Sequence, residues 1–357
     1  MTLFWAQHPG SRVLVLAPHP DDESLATGGL LQKVSDAGGE CRVIFLTDGE
    51  NNPWPQRVIE RRWRIKTTDK ERWGCRRRLE ATSALAELGV SESVAAFWGF
   101  PDQGLTGLLL AAGDELTDRL ARELDEWRPS VLVTPSSLDL HPDHSAVAVF
   151  ARLALASRKS MSVDPLHIEY RVHGRGPDRI APCLILTLSE EQQDRKRRAI
   201  LRHTSQLRLR HNLVEFARGA EKFISSEEMR NLRYHPVSNA SASAGEITLD
   251  LKLSPRAGAF GRATLYLASY LQGYPAQVLA MTLHRGRAAL IDVMNAVNGD
   301  VVAHARLLGE RGCFKLQIPL SVLASADFVC AKVERRFGFF DEAGWCALPV
   351  NPKRGGK

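Results

Sequence analysis

Residues 12–30 read Arg-Val-Leu-Val-Leu-Ala-Pro-His-Pro-Asp-Asp-Glu-Ser-Leu-Ala-Thr-Gly-Gly-Leu. The aliphatic run Val13 to Leu16 predicts a short strand, which ends abruptly in Pro18-His19-Pro20-Asp21-Asp22-Glu23. From Ser24 the segment can be helical, interrupted by Gly28-Gly29. Strand, polar turn and helix in succession are how an α/β protein presents chemistry at the carboxyl end of a parallel strand. One imidazole and two carboxylates follow directly on a strand that must be buried, which is costly unless something binds them. Alone, Pro-Asp-Asp is also ordinary turn chemistry, and a single His19 would be an unexceptional surface residue.

A second stretch tips the balance. Ser130 to Thr134 is another short apolar run, followed by Pro135 and then Asp139-Leu140-His141-Pro142-Asp143-His144. Two strand ends, each carrying His and Asp in a proline-containing turn, are most economically explained by one shared metal site.

The pair of motifs, HPDDE after the first strand and D-x-HPDH about 120 residues later, resembles the PIG-L/LmbE-like zinc-dependent deacetylases, which remove the N-acetyl group from N-acetylglucosaminyl substrates. The resemblance runs on through Thr47-Asp48-Gly49-Glu50, Arg77 with Glu80, Pro101-Asp102 and Lys196 to Gln206, roughly the first 230 residues. Pro18 stands where the family usually has Ala, a change tolerable at the end of a strand. The resemblance implies His19, Asp22 and His144 as ligands of Zn2+ or another divalent metal. It implies Asp21 as the general base beside a metal-activated water. His141 would hold the oxyanion, oriented and favoured in its protonated form by Asp143, and Arg77 and Asp102 would contact the sugar. Asp139 is expected either to support one of the two histidines or simply to shape the turn, and Glu23 to cap the following helix.

The rest of the chain bounds this reading. At 357 residues, with 44% hydrophobic and 25% charged residues, it suits two soluble globular domains. No apolar run is long enough for a transmembrane helix, and the first residues lack the pattern of a signal peptide. Six cysteines without C-x-x-C spacing fit reduced thiols, so a cytoplasmic protein is expected. The net charge of +6 is concentrated between Arg57 and Arg78, where ten Lys or Arg stand against Glu60, Asp69 and Glu71. Such a run is either a solvated face or an anion-recognition surface bordering the site.

Alternation of strands (12–17, 41–46, 94–98, 130–134, 167–173, 183–188) with helices (24–36, 71–88, 114–127, 145–157, 190–206) predicts a Rossmann-like, mostly parallel sheet with helices on both faces. This deacetylase-like domain is placed at 1–237. Residues 238–245, Ser-Asn-Ala-Ser-Ala-Ser-Ala-Gly, have the composition of a linker. Alternating runs at 246–253, 263–270, 277–283, 289–293, 313–318 and 328–333 then predict a smaller β-sandwich-like domain over 246–350.

The expected partner is an N-acetylated amino sugar, whether free or phosphate-, nucleotide- or lipid-linked, with peripheral membrane contact as a further option. The basic run is local and no recognition fold accompanies it, so no nucleic acid is expected. Oligomeric state is left open. The competing readings are a glycan-binding protein with a non-catalytic metal domain, and a metal-dependent hydrolase of another bond such as a phosphoester. Phosphoesterase sites usually hold two metals and more carboxylates than this constellation supplies.

Overall fold

A computed structural model describes residues 10–111, 113–158, 163–174, 180–243, 245–253, 262–271, 276–284, 288–310, 313–323, 326–335 and 339–349. The chain begins with β1 (Arg12–Ala17), α1 (Asp22–Asp36), β2 (Glu40–Thr47), α2 (Pro53–Glu60), α3 (Thr67–Glu87) and β3 (Ala95–Phe100). It continues with α4 (Leu105–Leu110), α5 (Asp114–Trp127), β4 (Val131–Pro135), α6 (Pro142–Ser157), β5 (Leu166–Tyr170), β6 (Leu184–Leu186), α7 (Glu190–Arg202), α8 (Thr204–Leu207) and β7 (Glu221–Ser225).

These strands form a seven-stranded sheet in the order β3-β2-β1-β4-β5-β7-β6. The first five run parallel, and β7 and β6 add antiparallel pairs at one edge. Val13, Val15 and Ala17 on one face of β1 join Leu30, Leu31 and Val34 of α1 and Ala81, Ala84, Leu85 and Leu88 of α3 in one core. Leu14 and Leu16, on the opposite face, are equally buried, as a central parallel strand requires. The chain moves outward from β1 to β2 and β3, then returns to pair β4 on the other side of β1. The strand order therefore reverses between β1 and β4, and ligands of open α/β sheets bind outside the strand ends at such a point. Both motif-bearing turns leave the sheet there.

Helix α1 starts at Asp22, two residues before the expected Ser24, which puts Asp22 and Glu23 in its first turn, where acids suit the helix dipole. Gly28-Gly29 does not break it. A β-carbon on Gly29 would meet Leu188 Cδ2 at 2.3 Å, so the glycine permits close packing.

The remaining strands are β8 (Val237–Ser243), β9 (Glu246–Lys252), β10 (Arg262–Tyr270), β11 (Gln277–His284), β12 (Ala288–Asn295), β13 (Val301–Glu310), β14 (Cys313–Pro319), β15 (Phe328–Arg335) and β16 (Trp345–Ala347). They make one antiparallel sheet in the order β16-β15-β10-β11-β12-β13-β14-β9-β8. Ile247, Leu249, Leu265, Leu267, Leu279, Met281, Leu316 and Val333 share a single core, so the sheet curls around one of its own faces. The expected β-rich C-terminal region is present, as one curled sheet in place of two facing sheets.

The predicted linker is corrected. Residues 238–243 are the greater part of β8, an edge strand in which Val237 and Ala240 turn inward and the serines outward. Ala and Ser there satisfy the backbone ladder and blunt the edge, a role that low complexity conceals. Ala244 lies outside the described residues. Compactness also divides the chain differently from the expected boundaries. One unit comprises Met1–Leu105, Glu123–Ser136 and Ser160–Ser226, and the other Thr106–Arg122, Ser137–Lys159 and Glu227–Lys357.

Candidate metal centre

The turn after β1 is buried throughout, with His19, Asp21 and Asp22 all largely removed from solvent. Asp22 Oδ2 accepts the His19 backbone N–H at 3.0 Å and lies 3.4 Å from His19 Nδ1. Two donors, each about 2.0–2.1 Å from a tetrahedral ion, stand roughly 3.3–3.4 Å apart. The pair thus fits two ligands of one ion. His19 Nε2 sits 3.2 Å from Asp102 Oδ1, and a carboxylate on the far nitrogen fixes the ring and raises its basicity. Asp102 is itself held, accepting Asn51 N–H at 2.8 Å and donating its own N–H to Glu50 Oε1 at 2.9 Å. Burial opposes ionisation of Asp102, but the His19 hydrogen bond and charge outweigh it and hold the carboxyl below its ordinary range.

Arg77 was expected to touch sugar, yet its guanidinium is buried and committed to the turn. It donates to Gly49 O at 2.9 Å and Pro20 O at 2.8 Å, and lies 3.2 Å from Asp21 Oδ1. Asp102, expected in the same role, is placed against His19. Burial pushes the Asp21 carboxyl up from its ordinary value, with Arg77 opposing and Asp22 reinforcing the rise. A carboxylate whose pKa moves toward neutrality is a better proton acceptor at neutral pH.

The turn after β4 is organised by Asp139. Its Oδ1 accepts the His141 backbone N–H at 2.9 Å and its Oδ2 lies 3.4 Å from His144 Nδ1. With Nδ1 turned to a carboxylate, Nε2 is the His144 nitrogen that a metal would take. His141 is the N-cap of α6, and its Nδ1 accepts the backbone N–H of Asp143 at 3.2 Å. An acceptor at Nδ1 places the proton on Nε2. In this hydrogen bond the ring is oriented by the Asp143 backbone, whereas the sequence suggested the carboxylate.

Sequence reasoning missed a buried polar cluster behind the first turn. Glu23, expected to act as a helix cap, is fully buried, with its Oε1 2.6 Å from Ser24 Oγ and 3.0 Å from His203 Nε2. Burial disfavours protonation of His203, but the Glu23 charge more than compensates and raises its pKa. Glu80 accepts Ser205 N–H at 3.0 Å and Thr204 Oγ1 at 2.8 Å, tying α8 to α3. The available signal was the run Lys196 to Gln206, in which Lys196, His203, Ser205 and Gln206 prove to be buried.

Residues 14–155 match the family described as PIG-L: GlcNAc-PI de-N-acetylase. Those residues are a PIG-L domain. Among curated relatives of this chain, the 1D-myo-inositol 2-acetamido-2-deoxy-alpha-D-glucopyranoside deacetylase of Mycobacterium avium (strain 104) is 35% identical over 146 residues, 37% of this chain and 47% of the relative. The enzyme of that name from Mycolicibacterium smegmatis is 30% identical over 164 residues, 43% of this chain and 56% of the relative. The chain spans about half the length of the curated relatives it matches. Among solved structures, a conserved protein of Thermus thermophilus aligns with 28% identity and a TM-score of 0.45, over 60% of this chain and 93% of the other. The N,N'-diacetylchitobiose deacetylase of Pyrococcus horikoshii aligns with 21% identity and a TM-score of 0.48, over 60% and 82% of the two chains. The PIG-L match contains both motif turns, Arg77 and Asp102, and stops before α7 and the antiparallel sheet.

Proposed function

We propose that this chain is a metal-dependent N-deacetylase, hydrolysing the N-acetyl group of an N-acetylglucosamine-type amino sugar or glycoconjugate. The observation that carries the reading is the donor set. His19, Asp22 and His144 are buried, of the types a catalytic zinc takes, and each imidazole has its second nitrogen beside a carboxylate. The adjacency of β1 and β4 at the reversal point supports their use as one site. When bound there, Zn2+ or a similar divalent ion supplies Lewis-acid polarisation of the acetyl carbonyl and lowers the pKa of water.

The chain's own groups do the rest. Asp21, held by Arg77, takes the proton of the attacking water and returns it to the sugar nitrogen as the C–N bond breaks. His141 offers its Nε2–H to the oxygen on which negative charge develops. Arg77 acts through Asp21 and the Pro20 carbonyl, and Asp102 through His19, so both are assigned as positioning residues. Direct sugar contact by either draws no support from their partners.

The basic segment supports a phosphate-, nucleotide- or lipid-linked substrate with fewer groups than its charge suggests. Arg62, Arg72, Arg76, Arg77 and Arg78 each meet a carboxylate of the protein. Arg61 and Arg64 are exposed, and Arg57 lies over Trp54 and Trp63 at 4.9 and 5.5 Å from their centroids. Arg57, Arg61, Arg64 and the exposed Lys66 would carry any contact with phosphate or an anionic membrane surface. No helix among the described residues is long and apolar enough to cross a membrane.

The test is acetate release from a panel of N-acetylated sugars (free, inositol-linked and phosphorylated) alongside metal content. We expect release that is abolished by chelation and restored by zinc or another divalent ion. Acetate release insensitive to chelation, or none from any amino sugar by the metal-loaded protein, would overturn the reading.

A further inference from the structure

We propose that Phe339 and Phe340, in the segment between β15 and β16, form an aromatic subsite that packs against an apolar part of the substrate. The proposal rests on the deacetylase reading above. Phe339 meets the His141 ring edge-to-face, with centroids 4.8 Å apart and planes at 78°. Phe340 does so at 6.1 Å and 77°, and the two phenyl rings contact each other at 5.2 Å. The three rings form one cluster, with Phe339 between the imidazole and Phe340.

Two features separate this pair from ordinary packing. The first is exposure. Phe339 is 44% and Phe340 38% exposed, whereas Phe314 and Trp345 of the same sheet are buried. Each phenyl keeps apolar surface in water at a cost of about 25 cal/mol per Å². The second is a rigid mount. The Asp341 N–H donates to Leu140 O at 2.8 Å, and the Trp345 N–H to Ser137 O at 2.7 Å. The Asp341 carboxylate makes a buried 2.8 Å ion pair with Lys332, and Arg335 donates to the carbonyl of Phe340. Exposed rings held this firmly beside a residue assigned to the reaction are built to meet a ligand. What recognises a phenyl face is apolar C–H surface, from either the pyranose ring or an apolar aglycone. Because both residues lie outside 14–155, the subsite is an addition by the antiparallel sheet to the PIG-L domain.

The experiment uses the full-length, metal-loaded protein, N-acetylglucosamine and its phenyl β-glycoside. Acetate release is measured for wild type, for Phe339→Ala/Phe340→Ala, and for Phe339→Leu/Phe340→Leu, which keeps apolar bulk without the rings. Two ring contacts of ~0.7 kcal/mol each correspond to about tenfold in affinity, so the Ala pair should raise KM about tenfold with kcat within about twofold. The Leu pair should recover only part of that loss. Equal KM increases on both substrates identify the sugar face, and an increase confined to the phenyl glycoside identifies the aglycone. Unchanged KM on both substrates overturns the proposal. So does a fall in kcat alone, which would leave the rings as packing for His141. If wild type releases no acetate, the deacetylase reading fails separately. Calorimetric titration with the phenyl glycoside then decides the subsite, and equal binding by wild type and the Ala pair overturns it.

Discussion

Asp21 and Asp22 are adjacent carboxylates with different partners, one facing Arg77 and the other His19. Asp22→Ala should therefore lose metal and activity together, while Asp21→Asn should keep its metal and lose most turnover. Metal analysis beside kcat checks this, and metal loss confined to Asp21→Asn would reverse the two roles. His144→Ala should likewise lower metal affinity, and His141→Ala mainly kcat. These side chains were legible because they crowd into two short turns after apolar runs. Asp102 and Arg77 were legible as participants, and only the fold shows that Asp102 faces His19 and that Arg77 reaches the Pro20 and Gly49 carbonyls. Glu23 was misread because its partner, His203, lies 180 positions away.

Gly344 and His235 belong to the same scale and lie outside the site. Gly344 has φ +67°, and a β-carbon there would stand 2.2 Å from Ser137 O and 2.8 Å from Asp139 O. Gly344→Ala should cost roughly 2–3 kcal/mol in urea unfolding and weaken metal binding through Asp139. His235 Nδ1 accepts the Val237 N–H at 3.0 Å, so a protonated ring has no acceptor left there, and burial pushes its pKa down to about 4 from 6.5. The unfolded chain thus binds the proton first, and stability falls as pH drops from about 6.5 to about 4, by about 3 kcal/mol. Asp341 works the other way. Burial outweighs Lys332 and raises its pKa from 3.8 to about 6, so its contribution improves as pH falls through that range. His235→Gln should remove the first slope and expose the second in melts from pH 7 to 4.

Among the elements, periodicity found the strands and helices that carry a clean apolar pattern. It missed β8, whose inward side chains include only Val237 and Ala240, and β13, whose Val-Val-Ala-His-Ala-Arg run includes exposed Val301 and Val302. It also missed α2, hidden behind Pro53 and Pro55, because proline in the first helical turn reads as a breaker. Beyond the helix predicted to end at 206, the chain forms a short 3-10 turn at His211–Ala217 followed by β7. Arg77 gives this scale its own test. From α3 it reaches the backbone of two separate turns, at Pro20 and Gly49. Arg77→Lys keeps the charge but loses the planar fork, so it should lower kcat and metal affinity together while α3 stays helical by circular dichroism.

At the scale of the whole molecule, the second compact unit interleaves residues 137–159 with the chain beyond 227. A cut near Ser243 would leave β8 without β9 and would strip the turn at Asp139 of its partners at Asp341 and Trp345. Residues 1–243 alone should therefore be insoluble or bind metal poorly, whereas the contiguous domains read from the sequence would have kept both properties. Soluble, metal-replete 1–243 would restore the contiguous reading.

The hydrogen bond from Trp345 N–H to Ser137 O spans most of the chain, and it carries a consequence for synthesis. A ribosome that has emitted the whole PIG-L stretch has yet to make the strand that braces its second turn. Contacts this distant in sequence form late and slowly. The turn holding His141 and His144 should therefore mature only after the last strands emerge, and metal should load after chain release. Chains stalled after residue 300 should take up little zinc, and released chains should acquire it together with burial of Trp345.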